Sequence, residues 1–441
     1  MDVLPTIKSR YGNIVLIYWG PMRAVYLNTY GTIKEAFIHN DMSHRGNFQS
    51  YTASQINPNI KGIIQSNYDD TLIANRRLSL SIFRKLGVGR STMEMKIIEN
   101  AERLCTNINK VAGKEFDPSN VISCSVVNVI LSILLNKQYN HDDSELLNLI
   151  KHIDDIIAIG KHNQLIDCFN ILRFIPPFKG SFELFKSASQ ELKRYISNSI
   201  KEHKRLYAKE HVSDFVDYWI ETHYNDTTET ESKIDEENLN IVLQDMLMAG
   251  METTATSLKW SIILLANNPD IQSKIHKEIN QVVGKEQVIC LKDRERLPYL
   301  EAFTWEMQRF KTLVLFSPHF TRVDTKLGGY DIPANTFIYP NTMGIHLDSD
   351  IFDQPTAFRP ERFLDSEGKF VKNENVLPFG IGKRSCLGEL LARKELFLFT
   401  AFLVQRFNFY LPEGIDEINE NGNENVVYSP KRFNICAIPK Q

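Results

Sequence analysis

One cysteine sets the terms for the rest of the chain. It stands in Leu377-Pro-Phe-Gly-Ile-Gly-Lys-Arg-Ser-Cys386-Leu-Gly388, just ahead of a helical run from Glu389 to Gln405. A sulfur at the mouth of a helix meets free backbone N–H groups and the positive end of the helix dipole, and both favour a thiolate. Lys383 and Arg384 add positive charge close by. Gly380 and Gly382 permit the positive-φ or close-approach geometry of a loop folded tightly around a sulfur. Gly388 leaves room for a flat group against the helix, and Phe379 supplies an apolar wall. The fold must therefore present one soft, charge-compensated thiolate to a planar ligand.

Phe379, Gly380, Gly382, Arg384, Cys386 and Gly388 resemble the F-G-x-G-x-R-x-C-x-G haem-ligand signature of the cytochrome P-450 family. The resemblance implies haem b as cofactor, Cys386 as axial ligand of its iron, and Phe379, Gly380, Arg384 and Gly388 as its neighbours. It also implies a mainly α fold, a helical triangular prism with a small β-rich region. One catalytic domain is then expected over residues 1–441, with its β-rich part near 11–30 and 320–340.

Composition fits that expectation. The 441 residues are 43% hydrophobic and 24% charged, enough for a sizeable core. A net charge of −3 argues against nucleic acid as a partner. The six cysteines form no C-x-x-C pair, which argues against a zinc site or disulfide framework and for a reducing compartment. No stretch reaches the roughly 18 uninterrupted apolar residues of a membrane span. The runs Ile122–Leu135 and Leu396–Val404 read as core helices. The resemblance implies a membrane anchor and a proline-rich hinge ahead of the domain, and neither pattern occurs here. The cytoplasmic face of the endoplasmic reticulum and a soluble cytoplasmic form both stay open.

In chain order, residues 11–30 read as two strands and Thr32–His39 as a helix. Asn47–Asp70 reads as a long loop, which the resemblance places over the substrate pocket. Leu72–Lys85 is a helix carrying Arg76. The resemblance makes Arg76 a propionate ligand, although Leu72 stands where the family has a tryptophan, and Arg45 is a second candidate. From Thr92 to Ala208 the pattern is helix after helix. Leu165–Phe185 is apolar and aperiodic, either a buried connector or a membrane-dipping gate.

Glu236 to Asn267 predicts a helix of ~48 Å at 1.5 Å per residue. Gly250 within it costs roughly 1 kcal/mol relative to alanine, so its presence asks for a reason, and a planar ligand or dioxygen packed against the backbone is the one expected. Ala249-Gly-Met-Glu252-Thr253 resembles the family's distal motif. Thr253 is then expected to stabilise dioxygen and Glu252 to relay protons, with Gly250 against the cofactor. Met246 and Ala249 line the pocket together with Leu313, Val314 and Phe316. Glu306 and Arg309 share a helix face at i, i+3. They resemble the family's Glu-x-x-Arg, which with Arg362 forms a scaffold triad. His319 after Pro318 is expected on a propionate. Tyr428–Phe433 is expected as a hairpin tip touching substrate.

The resemblance extends to the animal microsomal family-2 branch and implies a monooxygenase. One oxygen atom of O2 enters an apolar fatty acid, steroid or xenobiotic. No dinucleotide or flavin pattern occurs in the chain, so electrons are expected from a separate protein; the resemblance implies a flavoprotein reductase using NADPH, with cytochrome b5 as a further candidate donor. Lys383, Arg393 and Lys394 are expected at the reductase contact, and peripheral membrane contact is expected too. A haem-thiolate isomerase or dehydratase acting on hydroperoxides, and a catalytically silent haem-binding protein, remain as rivals.

Overall fold

The computed structural model describes residues 4–20, 22–45, 57, 59, 61–87, 91–208, 211–225, 235–285, 287–315 and 317–440. Helices dominate, and four small separate sheets lie among them. The organising element is the helix Glu236–Asn267. Asp235 caps it by accepting from the N–H of Asn238 at 2.7 Å, and Glu236 and Glu237 complement the dipole in its first turn. It ends where Pro269 opens the next helix, Pro269–Val282. Most of its residues are buried around its whole circumference, as in a helix packed on every side.

Two neighbours fix its position. Ser119–Leu134 is buried from Ile122 to Leu134 and crosses it at Gly250. Glu389–Arg406, the helix that follows the cysteine loop, packs along it through an aromatic and aliphatic seam from Leu396 to Val404. The shared cluster of apolar side chains also takes in Ile97, Leu104, Phe303 and Met307. This is the core on which the site is built.

The largest sheet runs in the order Ile14–Trp19, Met22–Leu27, Thr336–Pro340, His319–Phe320. Met22–Leu27 pairs parallel with Thr336–Pro340, so an N-terminal strand lies beside one from far along the chain. At the C-terminus Tyr428–Pro430 pairs with Gly422–Glu424 as a short hairpin.

The segment Leu165–Phe185 departs from the aperiodic connector read from sequence. It contains the end of helix Gly160–Cys168, a 3-10 turn at Asn170–Phe174 and the start of helix Phe178–Leu206. Pro176-Pro177 breaks the run, and short helical pieces on either side blur any single period. Leu165, Phe169, Ile171, Phe174 and Ile175 are all exposed. Half of the loop expected over the pocket (47–56, 58 and 60) lies outside the described residues, as does Phe316.

Candidate functional site

Cys386 is exposed, and its backbone N–H donates to the Phe379 carbonyl at 2.9 Å, closing the loop beneath it. Gly380 has φ +64° with open space where a side chain would project. Although the side chain is open to solvent, the protein packed around its sulfur displaces enough water to push the Cys386 thiol up. The N–H groups of Gly388 and Glu389 at the following helix's N-terminus pull the other way, as does Arg76. The cations expected to serve the sulfur are otherwise engaged. Lys383 bonds Asn40 and lies over Tyr68, while Arg384 bonds the carbonyls of Ser43 and Ile63 at 2.8 and 2.9 Å and that of Ser66. Arg76 takes their place, with its guanidinium 2.8 Å from the Ser385 carbonyl.

Arg45, Arg76 and Arg384 converge beside the cysteine loop. Burial, then Arg76, brings the Arg45 pKa down to about 10; burial, then Arg45 and Arg76, brings that of Arg384 down to about 9. None of the three forms an ion pair among the described residues. Among the described residues Arg45 bonds a hydroxyl, Ser317 Oγ, at 2.9 Å. His319 is buried beside them, its Nδ1 2.9 Å from the Met42 carbonyl and its ring stacked on Phe37. Burial, Arg45 and Arg384 keep it neutral. Gathering cations away from water without an acid is costly. The arrangement fits a ligand with two carboxylates, and haem b carries two. The residues present therefore fit the group.

On the distal helix, Met246 and Thr253 are half-buried and Ala249 exposed, while Asp245, Leu247, Met251, Glu252 and Thr254 around them are buried. Their spacing puts all three on one face, the accessible stripe of an otherwise enclosed helix. Thr253 Oγ1 donates to the Ala249 carbonyl at 2.8 Å. Glu252 is buried and accepts from Thr256 Oγ1 at 3.1 Å. Burial raises its pKa to about 7, with Asp154 adding to the effect and Lys259 and Thr256 opposing it. Gly250 has a different reason from the one expected. A Cβ built there would lie 2.7 Å from Ile130 Cδ1, so the glycine serves a close helix crossing. Leu313 and Val314 are half-buried, and the Leu313 carbonyl accepts the Tyr428 N–H at 2.7 Å. Trp260 holds the same tyrosine from the distal helix, stacking on its ring and donating to its carbonyl at 2.9 Å.

The triad assembles. Arg309 bonds both oxygens of Glu306, at 2.7 and 2.8 Å, with both side chains fully buried, and Arg362 Nε reaches Glu306 Oε1 at 3.0 Å. His346 extends the network. Arg309 donates to its carbonyl at 2.6 Å, its Nδ1 meets Thr312, and its Nε2 accepts the Leu377 N–H at 3.0 Å. Burial, then Arg309, brings its pKa down to about 3, so the ring is neutral. The scaffold thereby reaches the first residue of the cysteine loop.

The surface expected to receive a reductase needs correction. Lys394 is buried. Arg393 is held between the Phe379 and Trp305 rings at 4.6 and 4.5 Å and pairs with Glu389. An aromatic sandwich is a better place for a planar guanidinium than water. Sequence reasoning also passed over His346, Asp245 and Glu395. The two acids stand beside apolar runs (Asp245-Met-Leu-Met and Glu395-Leu-Phe-Leu-Phe), and that placement was the available signal.

A family model described as "Cytochrome P450" matches residues 2–437. Cytochrome P450 2U1 of Rattus norvegicus is 32% identical over 441 residues, covering 98% of this chain and 82% of its own. Cytochrome P450 2C25 of Mesocricetus auratus is 33% identical over 441 residues, covering 99% and 89%. Cytochrome P450 2J2 of Homo sapiens is 33% identical over 439 residues, covering 98% and 86%. With the cysteine loop, the cation cluster and the distal face in place, the chain belongs to the cytochrome P450 family and is a haem-thiolate monooxygenase with haem b as its cofactor.

Proposed function

We propose that Cys386 is the iron ligand and that Arg45, Arg76, Arg384 and His319 hold the carboxylates of haem b. The face Met246–Ala249–Thr253, joined by Leu313 and Val314, receives an apolar substrate. One observation carries this reading: three guanidinium groups that form no ion pair among the described residues gather beside the exposed Cys386. With Cys386 as its thiolate ligand, haem b would supply the activation of dioxygen needed to place one oxygen atom on the substrate.

The chain's own groups bind, orient and move protons. The N–H groups of Gly388 and Glu389, with Arg76, compensate negative charge on the sulfur. Phe379, stacked on Arg393, contributes an apolar ring to the same loop. Thr253 Oγ1 holds a hydroxyl on the accessible face, and its bond to the Ala249 carbonyl fixes its direction. Glu252, buried behind that face with a pKa near neutrality, takes up protons and releases them toward Thr253. No hydrogen bond joins the two side chains in the described structure, so transfer requires Glu252 to leave Thr256.

Electrons come from NADPH through a flavoprotein reductase; cytochrome b5 is a second donor in this reading. The exposed apolar group Phe169, Ile171, Phe174 and Ile175 supports peripheral contact with a membrane, and the endoplasmic reticulum surface is its proposed location. No helix among the described residues is long and apolar enough to cross a membrane. The test is reconstitution with reductase, NADPH and a panel of fatty acids, steroids and amine drugs. Oxygenated product dependent on NADPH is expected. Turnover of hydroperoxides without reductase, and no product with it, contradicts the assignment.

A further inference from the structure

Glu389 acts on Cys386 in two opposed ways. Its backbone N–H, at the first position of the helix Glu389–Arg406, points at the sulfur and favours a thiolate. Its side chain is an acid three residues from that sulfur, and its negative charge works against the thiolate. Acids are common at helix N-termini because the dipole favours them, so Glu389 alone asks for no special use. Its partner does. Arg393 stands one turn further on, with Nε 2.8 Å from Glu389 Oε1.

Exposed i, i+4 pairs contribute little, because both side chains are free to move and water screens them. Here the cation has lost that freedom. Its guanidinium lies between the Phe379 and Trp305 rings, and 18% of its side chain is exposed. Trp305 is buried, and its Nε1 donates to Glu301 Oε1 at 3.1 Å. Glu301 is held in turn by Arg294, whose Nε donates to its Oε2 at 2.8 Å. On the opposite side, the Phe379 carbonyl accepts the Cys386 N–H at 2.9 Å. The second ring against Arg393 therefore belongs to the turn that carries the cysteine. A guanidinium is planar and weakly hydrated, so an aromatic sandwich fixes the position of its charge without cancelling it.

We propose that Arg393, held between Phe379 and Trp305, is a positioning residue that sets how readily the Cys386-bound haem accepts an electron, by cancelling the Glu389 charge beside the sulfur. The inference rests on the reading of Cys386 as the iron ligand. An added electron makes the site more negative, so a fixed cation favours reduction and an unpaired acid opposes it. Because 41% of the Glu389 side chain is exposed, water screens the pair and the effect is moderate.

The test is the one-electron midpoint potential of the haem-loaded full chain, titrated with dithionite and mediator dyes. Arg393→Gln is expected to shift the equilibrium about threefold against the reduced form, ~30 mV lower at about 59 mV per tenfold. Glu389→Gln should shift it by a similar factor in the opposite direction. The double variant loses both charges together and should return to within about twofold of wild type. Arg393→Lys keeps the charge and should lie closer to wild type than Arg393→Gln. Since the guanidinium is enclosed by rings, Arg393→Gln should change affinity for the reductase of the reconstitution assay less than about twofold. Single variants with wild-type potentials, or shifts of one sign that add in the double variant, overturn the proposal. Lost reductase affinity with an unchanged potential overturns it too, and makes Arg393 a docking residue. Should Arg393→Gln fail to fold, the absence of an upward shift in Glu389→Gln overturns it equally. A wild-type protein without a thiolate-type carbon monoxide band contradicts the Cys386 reading, whereas unshifted variants of a protein that shows the band contradict this inference alone.

Discussion

Thr254 Oγ1 donates to Glu395 Oε2 across 3.0 Å, tying the helix that carries Thr253 directly to the helix that follows Cys386. Both side chains are almost fully buried, and the second oxygen of Glu395 has no hydrogen-bond partner among the described residues. Apart from burial, only the Thr254 bond acts on this carboxyl, and burial prevails to raise its pKa to about 8. Glu395 is thus a neutral acid at the crossing of the two helices that frame the site.

That state makes stability depend on pH in a definite direction. Between the ordinary glutamate pKa of 4.5 and about 8, the folded protein keeps the Glu395 proton while the unfolded chain releases it. Stability from this group therefore falls as pH rises through that window and levels off above it. Glu395→Gln keeps the shape and removes the titration. It should be more stable than wild type at pH 8, by roughly 2–4 kcal/mol after allowing for relaxation, and should lose the advantage near pH 4. Urea unfolding at several pH values checks this.

The Glu306–Arg309 pair should be far more sensitive than its surface counterparts. Glu306→Gln leaves the guanidinium of Arg309 buried with no negative partner, at a cost of ~3–5 kcal/mol in unfolding free energy. Arg362→Ala should cost less, because Arg309 keeps both of its bonds to Glu306. Since His346 links Arg309 to the Leu377 N–H, Glu306→Gln should also retain less haem at equal protein concentration. Denaturant midpoints and pigment-to-protein absorbance ratios measure the two effects.

Thr253 and Glu252 should separate in their kinetics. Thr253→Ala removes the hydroxyl from the accessible face and should lower product formed per NADPH by about tenfold or more while NADPH consumption continues. Glu252→Gln should slow turnover and flatten its pH dependence around 7, where the wild-type carboxyl titrates. Normal coupling in Thr253→Ala contradicts the proton-handling role given to this pair.

The legible and illegible parts of the chain divide along physical lines. The distal helix could be bounded from sequence because Asp235 and Pro269 are strong local signals that need no tertiary context. The cysteine loop, Glu306-x-x-Arg309 and Arg362 were likewise readable as local patterns. What local pattern does not carry is the partner of each side chain. Gly250 read as room for a planar ligand, and only the crossing with Ile130 supplied its use. Arg393 and Lys394 read as docking cations, yet the rings of Phe379 and Trp305, far apart in sequence, enclose the first, and burial removes the second. Leu165–Phe185 hid its helices because Pro176-Pro177 divides the run into pieces too short to show a period.

The most direct test concerns Cys386 itself. Purified, haem-loaded protein is reduced and exposed to carbon monoxide, and the absorbance difference is recorded for wild type and for Cys386→His. Thiolate ligation predicts the red-shifted band of a sulfur-bound haem in wild type and a histidine-type spectrum in the variant. A histidine-type spectrum in freshly prepared, folded wild type, or a red-shifted band that survives in Cys386→His, contradicts the assignment on which the rest depends.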